Sequence, residues 1–288
     1  MDDLTKINLI SQDIDYERIL QEIKTNEIAL KLIKELNLTD NEIKENYVLI
    51  NNYIKENKSC FNCKGKDNCS KATKMYKYTL IRSEDMLEES IIICPYFKDY
   101  YKRKENIVYT TFDEDIILDE SQKNFLADNI NLFGNDLIKK LTSIIKKENI
   151  YNGFYLENKD SKIRLNLIKS LSYKLLAKFD VAIVKMQELL VDIKEEFNTN
   201  PDQKVLDKIA KASILIIDGL GQEAITPWSR DEILFSILDN RLQNNKITII
   251  CSEYSKKELK ELYAMSRAGN DALKVNKLIE KIEEIDRS

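Results

Sequence analysis

Ile214-Leu215-Ile216-Ile217-Asp218 is a run of four large aliphatic residues that ends in a carboxylate. A short apolar run of this kind is typical of a strand that is buried on both faces of a parallel sheet. Three similar runs lie at residues 153–156, 181–184 and 247–251. A longer helical pattern follows each of the four runs, at residues 161–177, 185–197, 230–242 and 256–264. This alternation predicts βαβ units, and therefore an α/β domain in which helices cover a parallel sheet.

Three predicted helices begin with the Ser/Thr-x-x-Glu pattern of a capping box, in which two side chains satisfy free amides at a helix start. The pattern occurs at residues 39–42, 229–232 and 255–258. Around the first of these, apolar residues keep helical spacing from residue 14 to residue 56. They predict a helical hairpin near the N-terminal end.

The region between the helical hairpin and the predicted sheet is acidic. Residues 105–120 carry six acidic side chains and neither Lys nor Arg, which is typical of a linker. We therefore expect a small helical domain at residues 1–104, a linker at residues 105–120 and the sheet domain at residues 121–288. The length of 288 residues suits one large or two modest domains.

The chain contains no histidine. This excludes Ser-His-Asp triads, Cys-His pairs and histidine zinc sites, so any metal must be held by thiolates and carboxylates.

The longest apolar runs fall far short of the ~20 residues that span a bilayer, and residues 1–4 lack the features of a secretory signal. We expect a cytoplasmic protein with no membrane partner.

Four of the five cysteines lie close together in the chain. Cys60-Phe61-Asn62-Cys63 is followed after five residues by Cys69 and after 24 more by Cys94. Four soft ligands favour a closed, structural zinc site. The alternative is a set of free or redox-active thiols. Cys251 lies inside an apolar run and is expected in the core.

The predicted strand at residues 153–156 precedes the position of a phosphate-binding loop. A working loop reads GxxxxGK[ST], because glycines let backbone amides reach phosphate oxygens. Residues 157–165 contain no glycine. Lys159, Lys162 and Arg164 could attract phosphate there, or the segment could be a solvated surface turn. Asp218 could hold Mg²⁺ beside a phosphate, or could close a strand before a Gly turn.

Several short motifs occur in a fixed order along most of the chain. They are the Cys60–Cys69 segment with Cys94-Pro95, Gly153-Phe154-Tyr155-Leu156, Ile214 to Asp218, Gly221 with Glu223, Trp228-Ser229-Arg230-Asp231-Glu232, Asn240-Arg241, and Tyr254-Ser255 with Glu258-Leu259-Lys260. This order resembles the bacterial DnaI-type loader of the replicative helicase, a relative of DnaC in the AAA+ superfamily. The Trp-x-Arg-Asp-Glu run is the most specific piece.

The resemblance implies a zinc-binding N-terminal domain that contacts the helicase hexamer. It also implies an AAA+ C-terminal domain that engages ATP with Mg²⁺ and single-stranded DNA, with other primosome or initiator proteins as further partners. The family's zinc site includes a His where this chain has Lys77. Lysine has no lone pair to donate, so Cys69 becomes the expected fourth ligand beside Cys60, Cys63 and Cys94.

The chain departs from the family at the positions that serve ATP hydrolysis. Arg164 and Leu165 stand where the family has the Lys and Thr of its phosphate loop, and Gly219 replaces a second acid after Asp218. Glu253 takes the place of a sensor Asn, and Lys277 falls near the expected arginine finger. Each change affects a group that handles phosphate charge or activates water.

Three functions follow from these observations. The leading hypothesis is a primosomal adaptor that places the replicative helicase on single-stranded DNA, with weak or lost ATP hydrolysis. The second is an active ATPase loader that uses Lys159 or Lys162 in an unusual loop. The third is a zinc-containing DNA-binding regulator, because aromatic and basic residues alternate at residues 96–104. Against the third, residues 1–104 carry 18 basic and 18 acidic side chains, and those aromatics could simply pack the domain.

Overall fold

The computed structural model describes residues 15–84, 86–148, 151–199, 204–265 and 272–287. The chain divides into two units, Met1–Lys98 (unit 1) and Asp99–Ser288 (unit 2). Each unit is described by itself below. No helix in the described ranges is both long enough and apolar enough to cross a membrane.

Unit 1 consists of four helices followed by a β-hairpin. The helices are α1 (Tyr16–Thr25), α2 (Glu27–Leu36), α3 (Asp40–Glu45) and α4 (Tyr47–Phe61). Strands β1 (Tyr76–Ser83) and β2 (Met86–Ile93) pair antiparallel. Ile23, Ile43 and Ile50 are buried in a shared core with Leu80 of the hairpin. The helical spacing in the sequence thus corresponds to the face that unit 1 buries.

Unit 1 has more helices than the predicted hairpin, because Asn26 and Asn46 each separate two helices. Oδ1 of Asn26 accepts hydrogen bonds from the amides of Ile28 and Ala29, so a new helix begins there. The capping box at residues 39–42 is confirmed: the side chains of Thr39 and Glu42 each accept a bond from the other's amide. Residue 14, where the predicted hairpin starts, lies outside the described residues.

Unit 2 contains a five-stranded parallel sheet in the order β3-β5-β6-β7-β4. The strands are β3 (Ile107–Thr110), β4 (Gly153–Glu157), β5 (Val181–Lys185), β6 (Ile214–Asp218) and β7 (Ile247–Ser252). The last four correspond to the four apolar runs of the sequence. The prediction of a parallel sheet covered by helices is therefore confirmed.

Helices cover both faces of this sheet, and each face has its own apolar core. Leu215 and Ile217 pack in one core, whereas Ile214 and Ile216 pack in the other. Because successive strand side chains point to opposite faces, a strand covered on both sides is apolar at every position. This explains why β6 is a continuous aliphatic run.

The helices of unit 2 follow the strands along the chain. Before β4 they are α5 (Lys98–Glu105), α6 (Glu114–Ile117), α7 (Phe125–Asp128) and α8 (Ile130–Lys146). After it they are α9 (Ser161–Leu175), α10 (Met186–Thr199), α11 (Lys204–Lys211), α12 (Phe235–Gln243), α13 (Lys256–Met265) and α14 (Ala272–Asp286). A π-helix, Trp228–Leu234, precedes α12.

The structure corrects two boundaries drawn from the sequence. The units divide after Lys98 rather than after residue 104, and the acidic segment 105–120 contains strand β3 and helix α6 instead of being a linker. Ile107 packs against a core of the sheet, so the acidic residues flank an apolar strand.

The capping box expected at residues 229–232 does not form, because that segment lies inside the π-helix. The box at residues 255–258 is confirmed.

Candidate functional site

The carboxyl ends of β4, β6 and β7 carry the residues that the sequence singled out for nucleotide binding. Strand β7 lies between β4 and β6, and Cys251 pairs in register with both Leu156 and Asp218. Ligands of open parallel sheets bind outside this edge. The candidate site is therefore the region where the connection from β4 to α9 meets the end of β6.

The connection from β4 to α9 is short, spanning residues 158–160. The backbone amides of Asn158 and Asp160 are bonded within the protein. The amide of Asp160 donates to Oδ1 of Asn158 at 2.9 Å. Oδ1 of Asp160 in turn accepts from the amides of Lys162 at 2.8 Å and Ile163 at 3.3 Å. A phosphate at the N-terminus of α9 would need the same amides, so the carboxylate of Asp160 already takes the place of an anion there.

Arg164 lies in the first turn of α9 and is only 2% exposed. Its Nε donates to Oδ1 of Asp218 at 3.1 Å, and its Nη1 donates to the carbonyl of Asn158 at 2.7 Å. The guanidinium thus joins the phosphate-loop position to the acidic end of β6. Two of the four predicted nucleotide-binding residues, Arg164 and Asp218, are therefore in direct contact.

The ion pair changes what Asp218 can bind. Burial raises the pKa of Asp218, and the neighbouring guanidinium of Arg164 opposes this by favouring the charged form. The same guanidinium contacts a carboxylate oxygen that would otherwise be available to Mg²⁺. In this arrangement, the residues present do not fit a magnesium-bound nucleotide: Asp160 replaces the phosphate and Arg164 replaces the cation.

The other two predicted nucleotide-binding residues lie at the surface. Lys159 is 76% exposed at its side chain, and its Nζ lies 3.8 Å from Oε1 of Glu258. Lys162 is also exposed, although its backbone amide is bonded to the Asp160 cap. An exposed pair at this distance contributes little to stability. Lys159 and Lys162 therefore match the solvated turn that the sequence left open.

The predicted sensor and finger residues, Glu253 and Lys277, have other neighbours than Asp218 in the described residues. Glu253 follows β7 and is half-buried; a hydrogen bond between Glu253 and the Tyr254 hydroxyl raises the pKa of that tyrosine. Lys277 lies on α14 and lines a cavity of about 260 Å³ with Asp231, Phe235 and Lys274. Neither residue forms a bond to Asp218 in the part of the chain that the structure describes.

The turn after β6 buries a second carboxylate to which the sequence analysis gave no role. Oε2 of Glu223 accepts from the amide of Gly221 at 2.7 Å, and Oε1 accepts from the Tyr263 hydroxyl at 2.6 Å. Burial raises the pKa of Glu223. Gly221 has a φ of +93°, and a Cβ there would lie 2.6 Å from the Leu259 side chain. The match of Gly221 and Glu223 to the family thus corresponds to one tightly bonded turn.

The Trp-x-Arg-Asp-Glu run forms the π-helix, and its arginine is buried. Arg230 is 1% exposed; its guanidinium donates to both carboxylate oxygens of Asp231 and to the carbonyl of Tyr263. Trp228 is half-buried, and Nζ of Lys194 lies 5.1 Å from its ring centroid. The most specific motif of the sequence therefore joins the π-helix to α13 through Arg230.

Four cysteines line one cavity of about 250 Å³ in unit 1: Cys60, Cys63, Cys69 and Cys94. Lys77 also lines it, at the position where the resemblance implies a histidine. The donor chemistry suits zinc. However, within the described ranges no three cysteine, aspartate or glutamate side chains lie close enough to hold a metal ion. The zinc site therefore stays a prediction: the four cysteines share a cavity, but their side chains are not gathered into a metal site in the described residues. Cys251 is fully buried in the sheet, as expected.

The aromatic and basic segment 96–104 is largely bonded within the protein. The Arg103 guanidinium lies 4.0 Å from the ring centroid of Tyr173, and its Nε donates a hydrogen bond to the backbone carbonyl of Tyr173. Lys104 pairs with Glu114 at 2.8 Å, and the Tyr100 hydroxyl donates to Asp115 at 3.2 Å. These contacts favour packing over DNA binding for this segment.

Comparison with known proteins shows which proteins this chain is similar to. No family model matches the chain. The replicative helicase loader DnaI of Bacillus subtilis (strain 168) is 23% identical over 238 residues, which cover 80% of this chain and 76% of the loader. This chain resembles a DnaI-type helicase loader. The similarity includes most of both chains, so it is not confined to the ATPase-like sheet.

Solved structures are similar to the chain in fold. A crystal structure of a candidate primosome component from Streptococcus pyogenes serotype M3 has a TM-score of 0.50 and 16% identity, covering 65% of this chain and 92% of that one. A crystal structure of DnaI has a TM-score of 0.48 and 19% identity, covering 64% and 93%. The first of these similarities concerns the fold alone, and the AAA+ assignment stays a prediction from the sequence.

Proposed function

We propose that this protein is a helicase-loading adaptor whose ATPase site has lost hydrolysis. It would bind the replicative helicase hexamer and help to place it on single-stranded DNA in replication initiation, in the cytoplasm and beside other primosome or initiator proteins. The similarity to the DnaI loader across 80% of the chain supports the loading role. The helicase contact is assigned to unit 1, as the resemblance implies.

The contact between Arg164 and Asp218 is the observation that supports loss of hydrolysis. Phosphoryl transfer depends on a cation that bridges phosphate oxygens and on donors that neutralise the developing charge. In this chain the guanidinium of Arg164 pairs with the acid of β6, and the carboxylate of Asp160 satisfies amides at the start of α9. Both charges of the site are thus balanced without a nucleotide.

A phosphate-release assay on the purified full chain tests this proposal, with the Asp218→Asn variant as its control. We expect no ATP-dependent release by the wild type above that of the variant, with or without the helicase. Release by the wild type that disappears in Asp218→Asn would overturn the proposal. It would favour the second hypothesis, an active ATPase loader that uses Lys159 or Lys162.

Zinc belongs to the same proposal as a structural ion of unit 1. The support is that Cys60, Cys63, Cys69 and Cys94 all line one cavity. A small unit gains folding free energy when thiolates close on a metal, because the unfolded chain has no preformed site. Its role would be to hold the segment between α4 and β1 in place, with no part in chemistry.

A further inference from the structure

Positive charge is concentrated in one segment of unit 1, although residues 1–104 are balanced overall. Residues 58–77, which run from the end of α4 to the start of β1, contain six lysines and a single acid, Asp67. The segment therefore has a formal charge of +5 (six lysines minus one aspartate). Such a local excess can attract a polyanion even when the whole domain is neutral.

Three of these six lysines line the cysteine cavity, together with Lys31 and exposed aromatic rings. The cavity is lined by Lys31, Lys66, Lys71 and Lys77, and by Phe61, Tyr76 and Tyr96. The three aromatic residues are 41%, 46% and 52% exposed, respectively. The Tyr96 hydroxyl donates to the carbonyl of Cys63 at 3.1 Å, which fixes that ring beside the cavity. We call this set of residues, with Lys74, the lysine–aromatic rim.

Several lysines of the rim lack the ion pairs that are common elsewhere in unit 1. Nζ of Lys24 lies 2.6 Å from Oδ1 of Asp40, and Nζ of Lys44 lies 2.5 Å from Oε1 of Glu17. By contrast, Lys71, Lys74 and Lys77 form no ion pair with any described residue. Clustered ammonium groups without carboxylate partners repel one another. An anionic ligand at the rim would relieve this repulsion.

Thiolate charge alone does not account for the lysines. If the four cysteines bound Zn²⁺ as thiolates, the site would carry a charge of −2 (four thiolates and one divalent ion). The +5 of residues 58–77 would then leave an excess of +3. With protonated thiols the excess would be larger. Either state of the cysteines leaves a basic surface at the rim.

We propose that the lysine–aromatic rim binds single-stranded nucleic acid. The lysines would contact phosphates, and the exposed rings of Phe61 and Tyr96 would stack on bases. A duplex hides its base faces and an acidic protein has none, so the combination of rings and lysines favours a single strand. The rim lies in unit 1 and shares only Tyr96 with segment 96–104, on which the third hypothesis rests. The proposal does not depend on helicase loading.

The test measures fluorescence anisotropy of a labelled oligothymidylate with the full chain, over a range of salt concentrations and without any helicase. The variant is the triple substitution Lys71→Gln, Lys74→Gln and Lys77→Gln. Its matched control is the triple substitution Lys204→Gln, Lys208→Gln and Lys211→Gln, which changes three exposed lysines of α11. Loss of three phosphate contacts should make the negative slope of log K against log salt shallower by about 2. The control should keep the wild-type slope.

Phe61 provides a second, independent variant of the rim. Phe61→Ala should weaken oligonucleotide binding by roughly 5- to 150-fold, whereas Phe61→Trp keeps a stacking surface and should keep affinity. Circular dichroism of each variant checks that unit 1 remains folded. Absent binding by the wild type, or equal losses in both lysine triples, would overturn the proposal. Helicase capture that needs the rim lysines while oligonucleotide binding does not would also overturn it, and would assign the rim to a protein partner.

Discussion

Nε of Arg164 lies 3.1 Å from Oδ1 of Asp218, and the same guanidinium donates to the carbonyl of Asn158. One buried side chain therefore connects the acidic strand end to the connection that replaces a phosphate loop. Breaking such a pair costs far more than replacing both partners, because the remaining charge stays buried and unpaired. This asymmetry makes the contact testable by stability as well as by activity.

We expect Arg164→Ala to lower the free energy of unfolding by roughly 3–5 kcal/mol, since it leaves the largely buried carboxylate of Asp218 without its guanidinium partner. The double variant Arg164→Leu with Asp218→Leu should lose much less, because it removes both charges together. Urea denaturation of the full chain measures both values. Equal losses in the single and the double variant would mean that the two side chains are not coupled as described.

Asp160 offers a smaller and separate test of the same region. Asp160→Ala removes the acceptor for the amides of Lys162 and Ile163, and should cost about 0.5–2 kcal/mol. Asp160→Asn keeps an oxygen acceptor at the cap and should stay close to the wild type. The comparison is made by thermal or urea unfolding. If the Asn variant loses as much stability as the Ala variant, the cap geometry is not the reason.

Glu223 predicts a pH dependence of stability. Burial raises its pKa in the folded state, so the folded protein holds the proton more tightly than the unfolded chain. Stability should therefore fall as the pH rises from the ordinary glutamate range through the folded pKa. Glu223→Gln should lose this part of the dependence, and its stability relative to the wild type should increase with pH. Parallel pH profiles for the two proteins would contradict the assignment.

The sequence contained enough information for the sheet and for the contacting pair at its edge. The runs at residues 153–156, 181–184, 214–217 and 247–251 all became strands, because only strands covered on both faces are apolar at each position. The sequence also predicts both Arg164 and Asp218 as site residues. Their direct contact was not predictable, since it depends on how far α9 rotates Arg164 toward β6.

Other features depended on tertiary packing that local patterns do not reveal. Strand β3 lies among acidic residues whose pattern predicts a linker, although Ile107 packs against the sheet. Residues 229–232 match the sequence pattern of a capping box, but they lie inside the π-helix Trp228–Leu234 instead of at a helix start. In that π-helix, Arg230 donates hydrogen bonds to Asp231 and to the carbonyl of Tyr263. Asp160 had a usable signal: an Asp directly before a helical pattern is a typical N-cap.

Zinc content tests the prediction made from the cysteines. Elemental analysis of the purified full chain should give close to one zinc per chain, and Cys69→Ser should lose most of it because three thiolates remain. Cys251→Ser is the matched control, since Cys251 is buried in the sheet of unit 2. A substoichiometric value for the wild type would reject the four-thiolate site.

Capture of the same organism's replicative helicase by this protein is the most direct test of the central claim. The pull-down is run with and without Mg-ATP, using the wild type and a Cys60→Ser, Cys63→Ser variant. We predict stable capture that is the same in both nucleotide conditions and is lost in the cysteine variant. Capture that requires Mg-ATP would contradict a loader that works without its ATPase site, and failure to capture the helicase in any condition would contradict the loading role itself.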